Sequence, residues 1–224
     1  MGEGATWCVL VAAGSGERLG AERPKAFVPL GGRPLLAESL ERLDASDWID
    51  ALVVVVPDGW EEPAILLAEE LVVSKVAAVV VGGATRAASV AAGLAEIPGE
   101  ALVVVVHDAA RPLVGDDVLG RVLGALSEGV DGAIPGLPLA DTVKRVAGGR
   151  VAETIVRDDL VAVQTPQAFL AAALRRAYSG DLGGATDCAS LVERVGGAVA
   201  LVEGDPALLK VTTREDLARV EALL

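Results

Sequence analysis

Residues 9–30 read VLVAAGSGERLGAERPKAFVPL, and the fold follows from how this stretch is read. Cys8 to Ala12 is an uninterrupted run of small and apolar side chains, as expected of a strand covered on both faces. Ala13-Gly14-Ser15-Gly16 then breaks it, and two fixed cations, Arg18 and Lys25, follow with Pro24 stiffening the backbone before the lysine. A strand that ends in a glycine loop presents backbone N–H groups at close range, a physical recipe for holding phosphate. The glycines fall at positions 14, 16 and 20, which is not the G-x-G-x-x-G dinucleotide spacing, and no G-K-[ST] follows. An ordinary strand-to-helix turn with surface cations is the competing reading of this segment alone.

Outward from this loop, apolar runs alternate with helical periodicity. Pro34 suits a first helical position, and Leu35, Leu36, Leu40 and Leu43 fall on one helical face. Strands are predicted at Leu52–Val56, Val76–Val81 and Ala101–Val106, with helical patterns at Glu61–Val73, Ala87–Leu94 and Val118–Leu126. This alternation predicts an α/β fold with a doubly wound, mostly parallel sheet in a single domain spanning 1–224. Ligands of such sheets sit beyond the carboxyl ends of the strands. Three polar clusters fall at those ends: the glycine loop, Gly82-Gly83-Ala84-Thr85-Arg86 with Ser89, and His107-Asp108-Ala109-Ala110-Arg111. A shared binding site is the reading that accounts for all three. Asp108 suits Mg²⁺ beside phosphate oxygens, or else caps a turn. His107 is the sole histidine, so a histidine metal cluster is excluded and a hydrogen-bonded structural role is the simpler expectation.

The net charge is -13 and the isoelectric point about 4.5, which argues against nucleic acid or an anionic membrane as partner. An anionic substrate must then meet a local group of cations. Only four lysines occur (Lys25, Lys75, Lys144 and Lys210), and asparagine is absent, fitting either a GC-rich genome or heat adaptation. Cys8 and Cys188 form no C-x-x-C pair, and no basic leader or membrane-length apolar segment is evident, so a reducing, cytoplasmic setting is expected.

Between residues 137 and 163 the pattern changes. Asp141–Val146 and Val151–Val156 alternate around Ala147-Gly148-Gly149, predicting an inserted β-hairpin. Thr142, Lys144 and Thr154 share one face, with Arg157 at the exit. An isolated hairpin is marginally stable, so it packs either on a second subunit or back on its own domain. Farther on, Thr186-Asp187 marks a helix start, Ala198–Val202 a last strand, and Thr213-Arg214-Glu215-Asp216 a capping box. Thr212 and Thr213 are therefore as well explained as caps as by ligand binding.

Taken in order, AAGSGERLGAERPK, GGATRAASV, HDAARP, DTVKR, TPQAF, TDCASLVE and VEGDPALLKVTTREDL make the chain resemble the 2-C-methyl-D-erythritol 4-phosphate cytidylyltransferases nearly end to end. The resemblance implies a nucleotidyltransferase fold of Rossmann-like type, with a hairpin arm that joins a homodimer. It also implies a Mg²⁺-dependent reaction of CTP with methylerythritol phosphate that releases pyrophosphate in isoprenoid precursor synthesis. By position, Arg18 and Lys25 would be catalytic. Ala12, Ala13, Gly14, Ser15, Gly16, Gly83, Arg86, Ser89 and Asp108 would surround CTP, Asp108 also serving the metal. Thr142, Arg157 and Lys210 would bind the sugar phosphate, the first two reaching across from a partner's hairpin. Ala26 and Leu208 depart from the family's usual glutamine and asparagine. The rival readings are a ribitol 5-phosphate cytidylyltransferase and a catalytically silent nucleotide-binding module.

Overall fold

The computed structural model describes residues 4–16, 19–20 and 23–224. The first strand, β1 (Thr6–Val11), is central, with β4 (Ala51–Val56) hydrogen-bonded on one side and β6 (Val103–Asp108) on the other, all parallel. A small hairpin, β2 (Pro29–Leu30) and β3 (Arg33–Pro34), separates β1 from helix α1 (Leu35–Ala45), and β5 (Val76–Val81) extends the sheet beyond β4. Pro34 sits one residue earlier than expected, at the N-cap of α1.

Side-chain alternation along β1 divides the core into two layers, because successive residues of a strand face opposite ways. Cys8 and Leu10 pack with α1, α2 (Glu61–Glu70) and α4 (Asp116–Gly124). Trp7 and Val9 pack with α3 (Arg86–Ala95), α5 (Ala171–Tyr178) and α6 (Cys188–Arg194). The chain runs β1, β4, β5 in one direction and then crosses back to β6 on the far side of β1. That reversal opens a crevice at the carboxyl ends of β1 and β6, where open α/β sheets bind ligands.

Beyond β6 the sheet is less regular. β7 (Gly132–Pro138), β10 (Val161–Val163), β11 (Gln167–Leu170) and β12 (Val199–Glu203) complete eight strands, with β10 and β11 antiparallel to β7. β7 is not legible in the sequence, because GAIPGLP carries two prolines that cannot donate and two glycines. The glycines are required by packing: a Cβ on Gly132 would lie 2.3 Å from the Phe169 ring. The expected hairpin forms as β8 (Val143–Ala147) and β9 (Arg150–Ile155), a two-stranded sheet of its own, with Lys144 Nζ donating to Thr154 Oγ1 at 2.6 Å. Asp187 caps α6, and Thr213 with Asp216 forms the capping box of α7 (Arg214–Glu221). Thr213 is the N-cap of α7, and Thr212 donates through its N–H and hydroxyl to the Asp216 carboxylate. Cys8 and Cys188 are buried free thiols. Among the described residues no helix is long and apolar enough to cross a membrane.

Close helix-to-sheet packing rests on Gly93 of α3. A methyl group there would stand 2.6 Å from Val9 Cγ1 and 2.9 Å from Val55 Cγ2. Overpacking of this kind costs about 1–3 kcal/mol, against roughly 1 kcal/mol gained in helix propensity. Gly93→Ala is therefore expected to lower the urea midpoint, with a net loss of about 1 kcal/mol; an unchanged or raised midpoint would contradict the packing argument.

Candidate active site

Three strand ends and one C-terminal loop enclose a cleft of about 480 Å³. From β1 come Ala12, Ala13, Gly14 and Ser15, with Lys25 and Ala26 closing the loop. The loop folds back on itself because Lys25 N–H donates to the Gly14 carbonyl at 3.1 Å. Gly16 makes that turn possible: its φ is +77°, and a Cβ would lie 3.0 Å from the Lys25 nitrogen. Gly16 itself is set back from the cleft, so its part is conformational. Arg18 lies outside the described residues.

The second wall is the start of α3. Thr85 caps the helix by accepting from Ala88 N–H, and Gly83, Arg86 and Ser89 line the cleft with it. Ser89 Oγ accepts from Gly83 N–H at 3.2 Å and donates to the Thr85 carbonyl, holding the turn open toward the cleft. Gly82, just behind, leaves no room for a side chain, since a Cβ would lie 2.5 Å from that of Ala13.

Asp108, at the end of β6, is the electrostatic centre. Arg86 Nε donates to one carboxylate oxygen at 2.8 Å and Lys210 Nζ to the other at 2.7 Å. Burial alone would push the Asp108 carboxyl up, but the guanidinium and the ammonium outweigh it and hold the group well below the usual carboxylate range. Arg86 is itself braced from behind by Cys188 Sγ, which also meets the Tyr178 hydroxyl. With Lys25 added, the described lining residues set three cations and one anion around a single cleft, in a chain whose net charge is -13. Such a cluster draws a polyanion to this face despite the overall charge.

Asp108, the carboxylate expected to serve a magnesium ion, is held here by two cations. Each of its oxygens takes part in one ion pair, and a magnesium ion beside a nucleotide needs only one or two carboxylates, because phosphate oxygens supply other ligands.

Thr142 and Arg157 do not line the cleft. Thr142 is exposed just before β8, and Arg157, past β9, donates to the Ala140 carbonyl. The two departures from the family pattern are both buried: Leu208 is fully enclosed in the core and Ala26 is 3% exposed. Ala84, Thr85, Ala109 and Ala110, which belong to the polar clusters expected at the strand ends, line the cleft as well. Sequence reasoning passed over the hydrogen bonds that Arg111 and Thr165 make behind the site.

The profile of the 2-C-methyl-D-erythritol 4-phosphate cytidylyltransferases matches residues 6–224. The chain belongs to this family. It is 48% identical over 223 residues to the 2-C-methyl-D-erythritol 4-phosphate cytidylyltransferase of Nocardia farcinica, covering 99% of this chain and 95% of that one. Among solved structures, that of the Thermus thermophilus enzyme of the same name superposes with a TM-score of 0.77 at 36% identity, over 96% of each chain. The 4-diphosphocytidyl-2C-methyl-D-erythritol synthase of Anaerococcus prevotii superposes at 0.83 with 26% identity, over 99% of each.

His107 is fully buried, and burial lowers its pKa to about 4. In the unfolded chain an imidazole titrates near about 6.5, so between these values the unfolded state binds the extra proton. Stability is then complete above the unfolded value and is lost as pH falls toward 4. From pH about 7 to about 5 this single group should remove roughly 2 kcal/mol. Urea unfolding of the wild type and of His107→Gln at both pH values checks this; an equal pH slope in the two proteins would contradict it.

Proposed function

We propose that the protein transfers the cytidylyl group of CTP to 2-C-methyl-D-erythritol 4-phosphate, giving 4-CDP-2-C-methyl-D-erythritol and pyrophosphate. The observation that carries this reading is the meeting of Lys25, Arg86, Asp108 and Lys210 around one cleft in a chain of this family. Ala12 to Ser15, Gly83 and Ser89 offer close backbone and small polar groups suited to the nucleotide. Lys210, from the loop before α7, lines the same cleft and is suited to the sugar phosphate.

A phosphate oxygen of the second substrate attacks the α-phosphorus of CTP. The bond from that phosphorus to the oxygen bridging the β-phosphate breaks, and pyrophosphate leaves with the electron pair. The attacking group is already an anion, so no serine, cysteine or histidine nucleophile is needed. Catalysis is positioning plus charge stabilisation. Lys25, with Arg18, would meet the charge that grows on the α-phosphoryl oxygens. A magnesium ion would be held by Asp108 together with phosphate oxygens, and would supply further positive charge where negative charge grows.

Thr142 and Arg157 are assigned to the sugar phosphate of a second subunit's cleft, with the hairpin as the bridging element. The exposed Val146, Val151 and Val156 support this, since an apolar surface on a hairpin calls for a cover. A site shared in this way needs both chains, and the homodimer is part of the proposal.

Pyrophosphate release, measured with each nucleoside triphosphate against methylerythritol phosphate and ribitol 5-phosphate, tests the reaction. CTP with methylerythritol phosphate should be the favoured pair, and a preference for ribitol phosphate would overturn the assignment. Lys25→Ala should lower kcat by about 10²–10³ with a much smaller change in the KM for CTP. Mixing Lys25→Ala with Arg157→Ala protomers tests the shared site. Random reassociation should restore about a quarter of wild-type activity, because each mixed dimer then holds one intact site; no recovery would place both residues in one chain's own site.

A further inference from the structure

Behind Asp108 lies a chain of hydrogen bonds through the protein's single histidine. The Asp108 N–H donates to Thr165 Oγ1 at 3.0 Å, Thr165 Oγ1 lies 3.2 Å from His107 Nδ1, and His107 Nε2 lies 3.0 Å from the Arg111 carbonyl oxygen. All of it is shielded: His107 is fully buried and Thr165 is 4% exposed. The proton positions follow from what each group can do. A carbonyl oxygen only accepts, so Nε2 carries the proton. The neutral ring then offers Nδ1 as an acceptor, which the Thr165 hydroxyl fills. The lone pairs of that hydroxyl are left for the Asp108 amide. With the other tautomer, two acceptors would face each other at Arg111 and the threonine proton would lack a partner.

This chain fixes the turn from Asp108 to Arg111, and that turn holds the Lys210 segment at three points. Asp108 accepts from Lys210 Nζ at 2.7 Å, Arg111 Nη1 donates to the Leu208 carbonyl at 2.6 Å, and the Ala110 carbonyl accepts from Val211 N–H at 2.8 Å. The Asp108 N–H, the start of the turn, is the atom that Thr165 grips; the Arg111 carbonyl, its end, is the atom that His107 grips.

We propose that Thr165 and His107 are positioning residues that set where Lys210 stands, and through it the affinity for the phosphorylated substrate. The proposal rests on the reading above that Lys210 meets the sugar phosphate. It assigns neither residue a contact with substrate. The nucleotide side of the cleft, built from the glycine loop and the start of α3, meets this network through Arg86 on the other Asp108 oxygen and Ala109 N–H on the Val11 carbonyl, but it has its own bonds besides and should be less affected.

Thr165→Val keeps the shape and removes the hydroxyl, while Thr165→Ser keeps the hydroxyl. Loss of the link should raise the KM for methylerythritol phosphate about tenfold in the valine variant, with the KM for CTP changed less than about twofold. The serine variant should return to within about twofold of wild type. Equal kinetics in wild type and valine variant would overturn the proposal. So would a rise in both KM values that serine does not rescue, which is the mark of a merely structural residue. Nitrogen-15 NMR of untagged protein reads the same link without substrate, because only one histidine contributes. Wild type at neutral pH should show the neutral ring protonated at Nε2, and the valine variant should lose that strict preference. A ring protonated at Nδ1 in the wild type would overturn the relay. Failure of the wild type to release pyrophosphate would instead sink the reading of the reaction, with the relay still decided by the NMR result.

Discussion

The carboxylate of Asp108, held between Arg86 and Lys210, is the interaction on which the site depends. Bringing a carboxylate and a guanidinium into a largely buried place costs solvation, and that cost is met only if partners and geometry are fixed. Each partner comes from a different element: β6 supplies the anion, the start of α3 one cation, and the loop before α7 the other. The ion cluster therefore ties together segments that would otherwise meet only through the sheet. It also leaves net positive charge facing the cleft, which an acidic protein needs if it is to attract a triphosphate.

Periodicity and chemistry were legible to different depths. The central strands could be read because Ala51–Val56 and Val103–Val106 are apolar runs too short for helices and buried on both faces. β7 could not, because GAIPGLP breaks every local rule for a strand. Its glycines answer to Phe169 and Leu201, which are far away in sequence, and no window centred on β7 contains that information. The same division applies to the site. Residues at the ends of readable strands were found. Thr165 was quoted only as part of TPQAF, since its importance comes from lying beside Asp108 in space. The two cations that hold Asp108 lie 22 and 102 residues away along the chain, so no local window around it shows them.

The buried departures from the family pattern carry a related lesson. Leu208 is two residues from Lys210, yet its side chain belongs to the core while its carbonyl is what Arg111 grips. A side-chain change at that position therefore leaves the backbone contact available. Ala26 follows the same logic beside Lys25: it is buried within the glycine loop's short 3-10 turn, where a small side chain packs against the core.

The order in which the pieces of the ion cluster occur along the chain has a consequence for synthesis. Arg86 and Asp108 leave the ribosome well before Lys210, which follows Asp108 by 102 residues. Until the Lys210 segment arrives, the growing chain can form the Arg86 pair of Asp108 but not the second one. The cleft is thus completed after the strands that carry it, and a partly made chain has all eight strands of its sheet before it has a whole site.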